Sequence, residues 1–400
     1  MRTTPAEKIR DYRARGWWGD TRIHDMFDAN ARANPDRLAI VDAPNRADLV
    51  GTPPQRLSFA AAAALVDGYA LSLARLGLGK DDVLVTQLPN IAEYPALYVA
   101  AMRLGIIVSP VPMQFRRHEL EQIVRLTNAK AILTIDQLKG VDQIGIALTL
   151  SADLSKEALT LQVLSLRSAT ATTETPPGAI AFDAAAIDAQ SIAELRSAID
   201  TAAVDADDIA TICWTSGTEG TPKGVPRSHN HWYAISFAHL RGAGIQPGEV
   251  LLNPFPLINM AAIGGCFMSW MHNGGTLVLH HPLDLPTYLK QIAIERPQYA
   301  IAPPALLNML LKNEALLATV DLSSLRCIGS GSAPLDPEMI AGYRDRFGIE
   351  ICNNFGSNEG VSLISNAENA SDPVHRARWT PAAQTALKVA GTHHWICMVS

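Results

Sequence analysis

The sequence is poor in cysteine, with five in 400 residues, and none of the five belongs to a C-x-x-C pair. An odd count without such a pair argues against a disulfide framework, and it predicts a reducing compartment. Most of the cysteines lie inside apolar, strand-like runs, where a thiol acts as a small buried hydrophobe. They are Cys213, Cys266, Cys327, Cys352 and Cys397.

A strong charge of one sign and a membrane-spanning run are also missing. The net charge is −6 and the pI is about 6.0, which gives no electrostatic reason to expect nucleic acid or an anionic membrane as a partner. The N-terminus lacks the apolar core of a signal peptide, and its most apolar stretch, 59–78, is interrupted by Asp67 and Arg75. We therefore expect a cytoplasmic protein without a transmembrane segment, and a homodimer is compatible with this composition.

Metal-ligand patterns are absent as well. The histidines include the pair His229 and His231 and the adjacent pair His280 and His281. Neither pair stands beside cysteines or aspartates at the spacing of a metal site. We interpret these four side chains as surface residues or as hydrogen-bonded residues of the core.

The chain does contain a regular alternation of apolar strands and amphipathic helices. Residues 82–88, 106–111 and 131–135 fit short buried strands, and apolar residues at helical spacing separate them at 92–104 and 118–126. Such alternation implies right-handed crossovers and largely parallel sheets. We therefore predict an α/β fold made of layered α/β subdomains.

The second half of the chain repeats this alternation from Asp208 onwards. Before it, the stretch 141–206 is rich in Ala, Ser, Thr and Asp, and we place a connection between subdomains there. Three later strands each end in a loop of small and polar residues, at 215–224, 329–334 and 354–360. Ligands of open α/β sheets bind outside the carboxyl ends of the strands, so these three loops can line one site.

The segment with the clearest chemistry is WTSGTEGTPKGV, residues 214–225. Its glycines let backbone N–H groups approach an anion closely, its hydroxyls add donors, and its lysine adds a charge suited to phosphate. The lysine stands between Pro222 and Gly224, so the segment is not a Walker A loop. By composition alone a solvated surface loop is the better interpretation, and the order of the residues favours a phosphate site. The candidate phosphate ligands are Thr215, Ser216, Gly217, Thr218, Gly220, Thr221 and Lys223.

In that order, T-S-G-T-x-G-x-P-K-G after a buried strand, the segment resembles the phosphate loop of the acyl-adenylate-forming superfamily, which includes acyl-CoA synthetases and aryl-acid–AMP ligases. The resemblance covers residues 20–366 and implies the large N-terminal domain of such an enzyme. It also implies ATP and Mg²⁺ as cofactors, CoA as a co-substrate, and a small carboxylic acid as the molecule that is activated. Glu219 departs from the pattern, since many members have threonine there, and a carboxylate beside phosphates is unfavourable unless it faces away or meets a metal.

Two further loops occur in the order that the superfamily shows. GSGSAPL, residues 329–335, resembles its adenine-side loop, and NNFGSNEG, residues 353–360, resembles its second nucleotide motif. The resemblance assigns Mg²⁺ binding to Glu359, and it places Asn358 where threonine is usual. Alone, the first loop is equally typical of a strand-to-helix turn, and Glu359 of a solvated carboxylate. The adenine-side candidates are Gly331, Ser332, Ala333, Asn354, Phe355 and Gly356.

The segment NPFPLINMAAIGG, residues 253–265, resembles the stretch that lines the acid pocket of the superfamily. Asn259 stands where many relatives carry histidine, and the small apolar residues after it would form one wall of the pocket. A loop and helix that face the core are the plainer interpretation, which fits part of the segment. The acid-pocket candidates are Asn259, Met260, Ala261 and Gly264.

The superfamily pattern is not found after residue 366. We expect the 400 residues to lack the small C-terminal domain with its catalytic lysine, so no catalytic residue is assigned. The tail, 367–400, is atypical, and from about Trp379 it reads like out-of-frame translation, which is a hypothesis.

The sequence therefore indicates an acid–thiol ligase of fatty-acid or aryl-acid metabolism. Such an enzyme activates a carboxylic acid to acyl-AMP with ATP and then transfers the acyl group to CoA, and we expect weak adenylation at best from this chain alone. Two alternatives stay open. One is a remnant that binds ATP or an acid without turnover, and the other is an aryl-acid–AMP ligase that loads a carrier protein.

Overall fold

Two large sheets with helices packed against them form the framework of the protein, in a computed structural model that describes residues 1–166, 174–215, 222–358 and 362–378. The strands are β1 (Leu38–Val41), β2 (Arg56–Ser58), β3 (Val83–Gln87), β4 (Ile107–Pro110), β5 (Ala131–Thr134), β6 (Gln137–Leu138), β7 (Val141–Asp142), β8 (Gln162–Leu166), β9 (Ile180–Phe182), β10 (Ile209–Trp214), β11 (Gly224–Ser228), β12 (Val250–Asn253), β13 (Thr276–Leu279), β14 (Tyr299–Ile301), β15 (Cys327–Gly331), β16 (Glu350–Gly356) and β17 (Ser362–Ser365). The helices are α1 (Ala6–Ala14), α2 (Ile23–Ala33), α3 (Arg46–Val50), α4 (Phe59–Arg75), α5 (Glu93–Arg103), α6 (Arg117–Thr127), α7 (Gln143–Ser155), α8 (Ala189–Ala202), α9 (His229–Gly242), α10 (Met260–Ala262), a π-helix (Ile263–Met268), α11 (Ser269–Asn273), α12 (Leu285–Glu295), α13 (Pro304–Lys312), α14 (Glu314–Leu317), α15 (Pro337–Phe347) and α16 (Pro373–Arg378).

Both sheets are largely parallel. The first has the strand order β17-β16-β15-β14-β12-β13-β1-β2, and the second has the order β11-β10-β4-β3-β5-β8-β9. Antiparallel pairs among these strands occur at the sheet edges, between β1 and β2, between β16 and β17, and between β10 and β11. The predicted α/β fold with largely parallel sheets is therefore confirmed.

Neighbouring residues of the central strands face opposite sides of their sheet, and each side has its own apolar cluster. In β12, Leu251 packs in a cluster that the two sheets share with α4, α5 and α9, whereas Leu252 packs under α12, α13 and α15. In β3, Leu84 belongs to the shared cluster and Val85 packs under α6 and α7. Strands that are buried on both faces are typical of parallel sheets covered by helices.

The stretch 141–206, where the sequence suggested a connection between subdomains, contains regular structure that extends the second sheet. It holds α7, β8, β9 and α8, and β8 pairs in parallel with β5 and with β9. Residues 167–173 of this stretch lie outside the described part of the chain.

Strand β11, which follows the loop 215–224, was not predicted from the sequence. The loop after β10 does not lead directly into a helix, because β11 comes first and pairs antiparallel with β10. The sequence of β11 does not look like that of a strand, because neither Gly224 nor Pro226 is typical of a strand interior. Proline is tolerated at a sheet edge, and β11 is the edge strand of its sheet. Helix α9 then begins after Ser228, whose hydroxyl caps the helix by accepting from the backbone N–H of His231.

The segment after residue 366 is packed as far as it is described. The guanidinium of Arg376 is buried and donates to the carbonyls of Ala370 (2.8 Å) and Ile351 (3.3 Å). This arginine therefore fastens α16 to β16. Residues 379–400 lie outside the described part.

The apolar stretch 59–78 forms α4 and the turn after it. The helix packs against α5 and buries one face that includes Phe59, Val66 and Tyr69. Across the four described ranges, no helix combines the length and apolar character that crossing a bilayer requires. The cysteines Cys213, Cys266, Cys327 and Cys352 are buried and free, as expected, and Cys397 lies outside the described residues.

Candidate functional site

A cavity of about 420 Å³ opens where strands of both sheets end. β10 of the second sheet and β14, β15 and β16 of the first reach it with their carboxyl ends, which is the edge where ligands of α/β sheets bind. The described parts of the three loops therefore meet there, together with the segment after β12. The lining residues are Thr215, His239, Phe255, Asn259, Met260, Ala261, Ile301, Gly329, Ser330, Gly331, Ser332, Asn354, Phe355, Gly356, Ser357, Asn358 and Ser362.

Asn358 joins the segments around this cavity. Its amide Nδ2 donates to the carbonyl of Trp214 at 2.9 Å, and its Oδ1 accepts from the backbone N–H of Met260 at 3.1 Å. Its own carbonyl accepts from the guanidinium of Arg227 at 2.6 Å. One asparagine thus holds the end of β10, the acid-pocket segment and the loop after β16 in a fixed arrangement.

The candidate adenine-side loop, 329–335, approaches β16 backbone to backbone. A Cβ added to Gly331 would lie 2.0 Å from the carbonyl oxygen of Asn354, so a side chain does not fit there without moving the backbone. The next residue, Ser332, has a φ of 67°, a left-handed conformation that is uncommon for residues other than glycine. Strain of this kind occurs preferentially at functional sites. Ala333 is exposed and does not line the cavity.

The other adenine-side candidates present an unused acceptor and an exposed ring. The Oδ1 of Asn354 is buried and has no hydrogen-bond partner among the described residues. The ring of Phe355 is 57% exposed at the edge of the cavity, although aromatic rings are usually buried. Adenine binding by these residues and by Gly356 stays a prediction, with which an available acceptor and an available ring face agree.

The candidate phosphate loop, 215–224, connects the antiparallel strands β10 and β11. At its base, the backbone N–H of Thr215 donates to the carbonyl of Lys223 at 3.0 Å. Thr215 lines the cavity, whereas the side chain of Lys223 is exposed and does not line it. The other candidates of this loop, Ser216, Gly217, Thr218, Gly220 and Thr221, lie outside the described residues, as does Glu359.

The acid-pocket candidates divide between the cavity and the core. Met260 and Ala261 line the cavity, and Asn259 both lines it and caps α10 by accepting from the backbone N–H of Ala262 at 3.2 Å. Gly264 lies in the π-helix instead, where an added Cβ would come within 2.6 Å of Ile235 on α9. Its position therefore fits close helix packing, and π-helical segments often occur beside functional sites.

Three lining residues lie outside every segment that the sequence analysis singled out, namely His239, Ile301 and Ser362. His239 is 3% exposed, its Nε2 lies 3.2 Å from the hydroxyl of Ser362, and burial lowers its pKa to about 4. Helical spacing could have indicated His239, because it lies seven residues after the buried Trp232 on the same face of α9.

The histidines that the sequence assigned to structural roles do have hydrogen-bond partners. His229 accepts from the backbone N–H of Ile23 at 3.3 Å, and His231 accepts from that of Ser228 at 3.0 Å. His280 lies 2.7 Å from the side-chain oxygen of Gln291. Within the described ranges, no group of three or more His, Cys, Asp or Glu side chains could hold a metal ion.

Comparison with known proteins assigns most of the chain to one family. A family model described as AMP-binding enzyme matches residues 27–393. The chain is 27% identical to a probable CoA ligase, CCL5, of Humulus lupulus over 348 residues, which are 85% of this chain and 58% of the relative. It is 26% identical to the vibriobactin-specific 2,3-dihydroxybenzoate-AMP ligase of Vibrio cholerae over 387 residues, which are 94% of this chain and 65% of that protein.

The fold also matches a solved structure, the apo form of MbtA from Mycobacterium smegmatis. The TM-score is 0.72 at 22% identity, and the match covers 94% of this chain and 63% of that one. The chain therefore spans somewhat less than two thirds of the length of each of the three proteins.

Proposed function

We propose that this chain, which belongs to the family of AMP-binding enzymes, carries the nucleotide and acid sites of a ligase that joins a carboxylic acid first to AMP and then to the thiol of CoA. The observation that carries this proposal is that described residues of three loops, whose residue order resembles nucleotide-binding loops, line one cavity at the carboxyl ends of the strands. We further propose that residues 20–366 form the large N-terminal domain of that ligase.

The proposed reaction has two displacements. A carboxylate oxygen of the acid attacks the α-phosphorus of ATP, the bond to the β-phosphate oxygen breaks, and pyrophosphate leaves. The sulfur of CoA, having lost its proton, then attacks the acyl carbon, and AMP leaves with the electrons of the broken acyl–oxygen bond. Because negative charge accumulates around phosphorus in the first step, the site needs donors and cations positioned there.

The phosphate loop would supply most of these groups. Its backbone N–H groups and hydroxyls, from Thr215 to Thr221, are suited to bind phosphate oxygens, and Lys223 would add a positive charge. Glu359 is our proposed ligand of Mg²⁺, which typically binds one or two carboxylates and completes its shell with phosphate oxygens and water. Such a site needs no cluster of protein ligands.

The adenine would lie between the loop at Gly331 and the ring of Phe355. Glycine at this position lets the loop lie backbone to backbone against Asn354, and the exposed ring of Phe355 offers a face for stacking. The unpaired Oδ1 of Asn354 is suited to accept from the exocyclic amino group of the base.

A carrier protein is the alternative thiol acceptor. The chain is almost equally similar to a protein named as a CoA ligase, at 27% identity, and to one named as an aryl-acid–AMP ligase, at 26%. Binding of nucleotide without turnover is the second alternative. Because the chain covers 58% and 65% of these relatives, we propose turnover for the whole protein and ligand binding for this chain.

Calorimetric titration with MgATP and with AMP tests the proposal on the 400-residue chain. We expect both to bind, and Lys223→Ala to weaken MgATP about tenfold or more while AMP binding changes less, since charge-assisted bonds to phosphate contribute about 1.5–3 kcal/mol. Lys290→Ala, at an exposed lysine outside the cavity, is the matched control. A folded chain that binds neither nucleotide would contradict the proposal, and acid-dependent pyrophosphate exchange would extend it from binding to turnover.

A further inference from the structure

His239 is a buried polar side chain of the cavity to which the proposed nucleotide chemistry gives no role. It is 3% exposed and lines the cavity, and its Nε2 is paired with the hydroxyl of Ser362 at 3.2 Å. Its Nδ1 is buried and has no hydrogen-bond partner among the described residues. Buried polar atoms without partners are rare in native proteins, and each one calls for a ligand or another explanation.

The surroundings place this imidazole at the acid side of the cavity. Helix α9 packs against the π-helix that directly follows the acid-pocket candidates. A Cβ added to Gly265 of that π-helix would lie 3.5 Å from Cε1 and 3.8 Å from Nδ1 of His239. The edge of the ring that carries Nδ1 therefore faces glycine backbone, which has no side chain to pair with this nitrogen.

The rest of the acid side is mostly apolar. Four apolar side chains line the cavity here. Three come from the predicted acid-pocket segment, 253–265, namely Phe255, Met260 and Ala261, and the fourth, Ile301, ends β14. A pocket with an apolar wall and few polar groups orients its ligand through those polar groups. The unpaired nitrogen of His239 is such a group.

The chemistry of the imidazole limits what this group can bind. Burial lowers the pKa of His239 to about 4, so at neutral pH the ring is uncharged and offers a hydrogen bond rather than an ion pair. If Nε2 donates to Ser362, Nδ1 is an acceptor, and if Nε2 accepts from Ser362, Nδ1 is a donor. A hydroxyl group can satisfy either form, because it both donates and accepts.

We propose that His239 is a specificity-determining residue of the acid pocket, whose Nδ1 hydrogen-bonds a hydroxyl group on the carboxylic acid. The acid would then be a hydroxy acid with an otherwise apolar body. This inference rests on the proposed function for the identity of the ligand as a carboxylic acid, but it makes its own claim about which acids bind.

Acid binding by matched pairs tests the proposal. Calorimetry on the 400-residue chain would compare benzoate with its three monohydroxy isomers, and octanoate with 3-hydroxyoctanoate. We expect at least one hydroxy acid to bind about 5-fold to 100-fold more tightly than its parent, which is the range that one buried hydrogen bond gives. His239→Phe keeps a ring of similar size without the nitrogens, and we expect it to reduce the preference to less than about twofold.

A second buried histidine provides the matched control. His24 is also 3% exposed and also has a buried Nδ1 without a partner among the described residues, but it does not line the cavity. His24→Phe should therefore leave the preference for the hydroxy acid unchanged. If His239→Phe does not fold, ¹⁵N resonances of histidine in the wild-type chain give an independent measurement, since a new hydrogen bond at Nδ1 shifts its resonance when the hydroxy acid binds and not when the parent does.

The outcomes separate this inference from the proposed function. Equal binding of hydroxy acids and parents by the wild-type chain, or no binding of any hydroxy acid in the panel, would overturn the role of His239, as would an unchanged preference in His239→Phe. AMP titrated into the same samples reports on the nucleotide site alone. Failure of AMP to bind would contradict the proposed ligase while a hydroxy-acid preference still supported the role of His239.

Discussion

Backbone forms most of one side of the cavity, and buried side chains form the other. The side proposed to bind adenine is made of backbone and small residues, with Gly331 against the carbonyl of Asn354, and its one large ring, Phe355, is 57% exposed. The side proposed to bind the acid is made of buried side chains, of which His239 and Ser362 are each 3% exposed. A contact made by side chains changes when those side chains are substituted, whereas a contact made by backbone does not depend on them.

This difference has consequences for which substitutions each side tolerates. A site formed by backbone contact has no room for a larger side chain, so even one added methyl group is expected to cause a clash. A site formed by side chains can exchange them for others of similar volume with smaller losses of stability. We expect the variants below to separate the two sides, in order of decreasing effect.

Gly331→Ala should have the largest effect, on stability as well as binding. Its new Cβ would lie 2.0 Å from the carbonyl oxygen of Asn354, and since both groups are backbone-bound, β15 and β16 would have to separate. We expect a loss of about 3 kcal/mol in the free energy of unfolding, measured in urea, and loss of detectable AMP binding in calorimetry.

Gly79→Ala is the matched control for this variant, because an added Cβ at Gly79 meets no atom within 4 Å. The expected change in its unfolding free energy is within about 0.5 kcal/mol. Equal stabilities of the two variants would show that the contact at Gly331 relaxes easily, and the contrast between the two sides would then be lost.

Asn358→Ala should have an intermediate effect, because Asn358 joins the two sides. The variant leaves the carbonyl of Trp214 and the backbone N–H of Met260 without their present partner. We expect a loss of about 2 kcal/mol in the free energy of unfolding, together with weaker binding of both AMP and the acid. Thermal and urea unfolding with parallel titrations would measure it.

Asn358→Asp sharpens this test. Aspartate keeps an acceptor for the N–H of Met260 but has no donor for the carbonyl of Trp214 when it is ionised. The variant should therefore lose the hydrogen bond to Trp214 of β10 and keep the one from Met260 of the acid-pocket segment. If the alanine variant affects AMP binding alone, Asn358 does not couple the two sides, and they are independent.

The contrast between a backbone side and a side-chain side also explains how much of the site the sequence could predict. The α/β class followed from alternating apolar segments, and the loops at 329–334 and 354–360 were found because their small residues occur in a fixed local order. His239 and Ser362 were missed because their contact joins residues more than 120 positions apart on α9 and β17. Helical spacing from Trp232 places His239 on a buried face of α9, but it does not show that this face reaches the cavity.

Strand β11 and the bridging role of Asn358 were not predicted because both depend on contacts with other segments of the folded chain. Gly224 and Pro226 are unfavourable in strands by local propensity, and it is the pairing with β10 that holds them in one. The three hydrogen bonds of Asn358 reach residues in three other segments, which only the folded chain brings together. Local order therefore predicts backbone-based sites better than sites made by distant side chains.

Phe355→Ala should have the smallest effect on the fold and tests the adenine side by itself. Because the ring is 57% exposed, we expect the free energy of unfolding to change by less than about 0.5 kcal/mol. AMP binding should weaken by about 1–2 kcal/mol, or roughly 5-fold to 30-fold, if the ring stacks on the base. Phe355→Tyr keeps the stacking face and should bind like the wild type. Val374→Ala, at another exposed apolar residue away from the cavity, should change neither quantity. Unchanged AMP affinity in Phe355→Ala would mean that the exposed ring has no part in binding, and that backbone alone forms the adenine side.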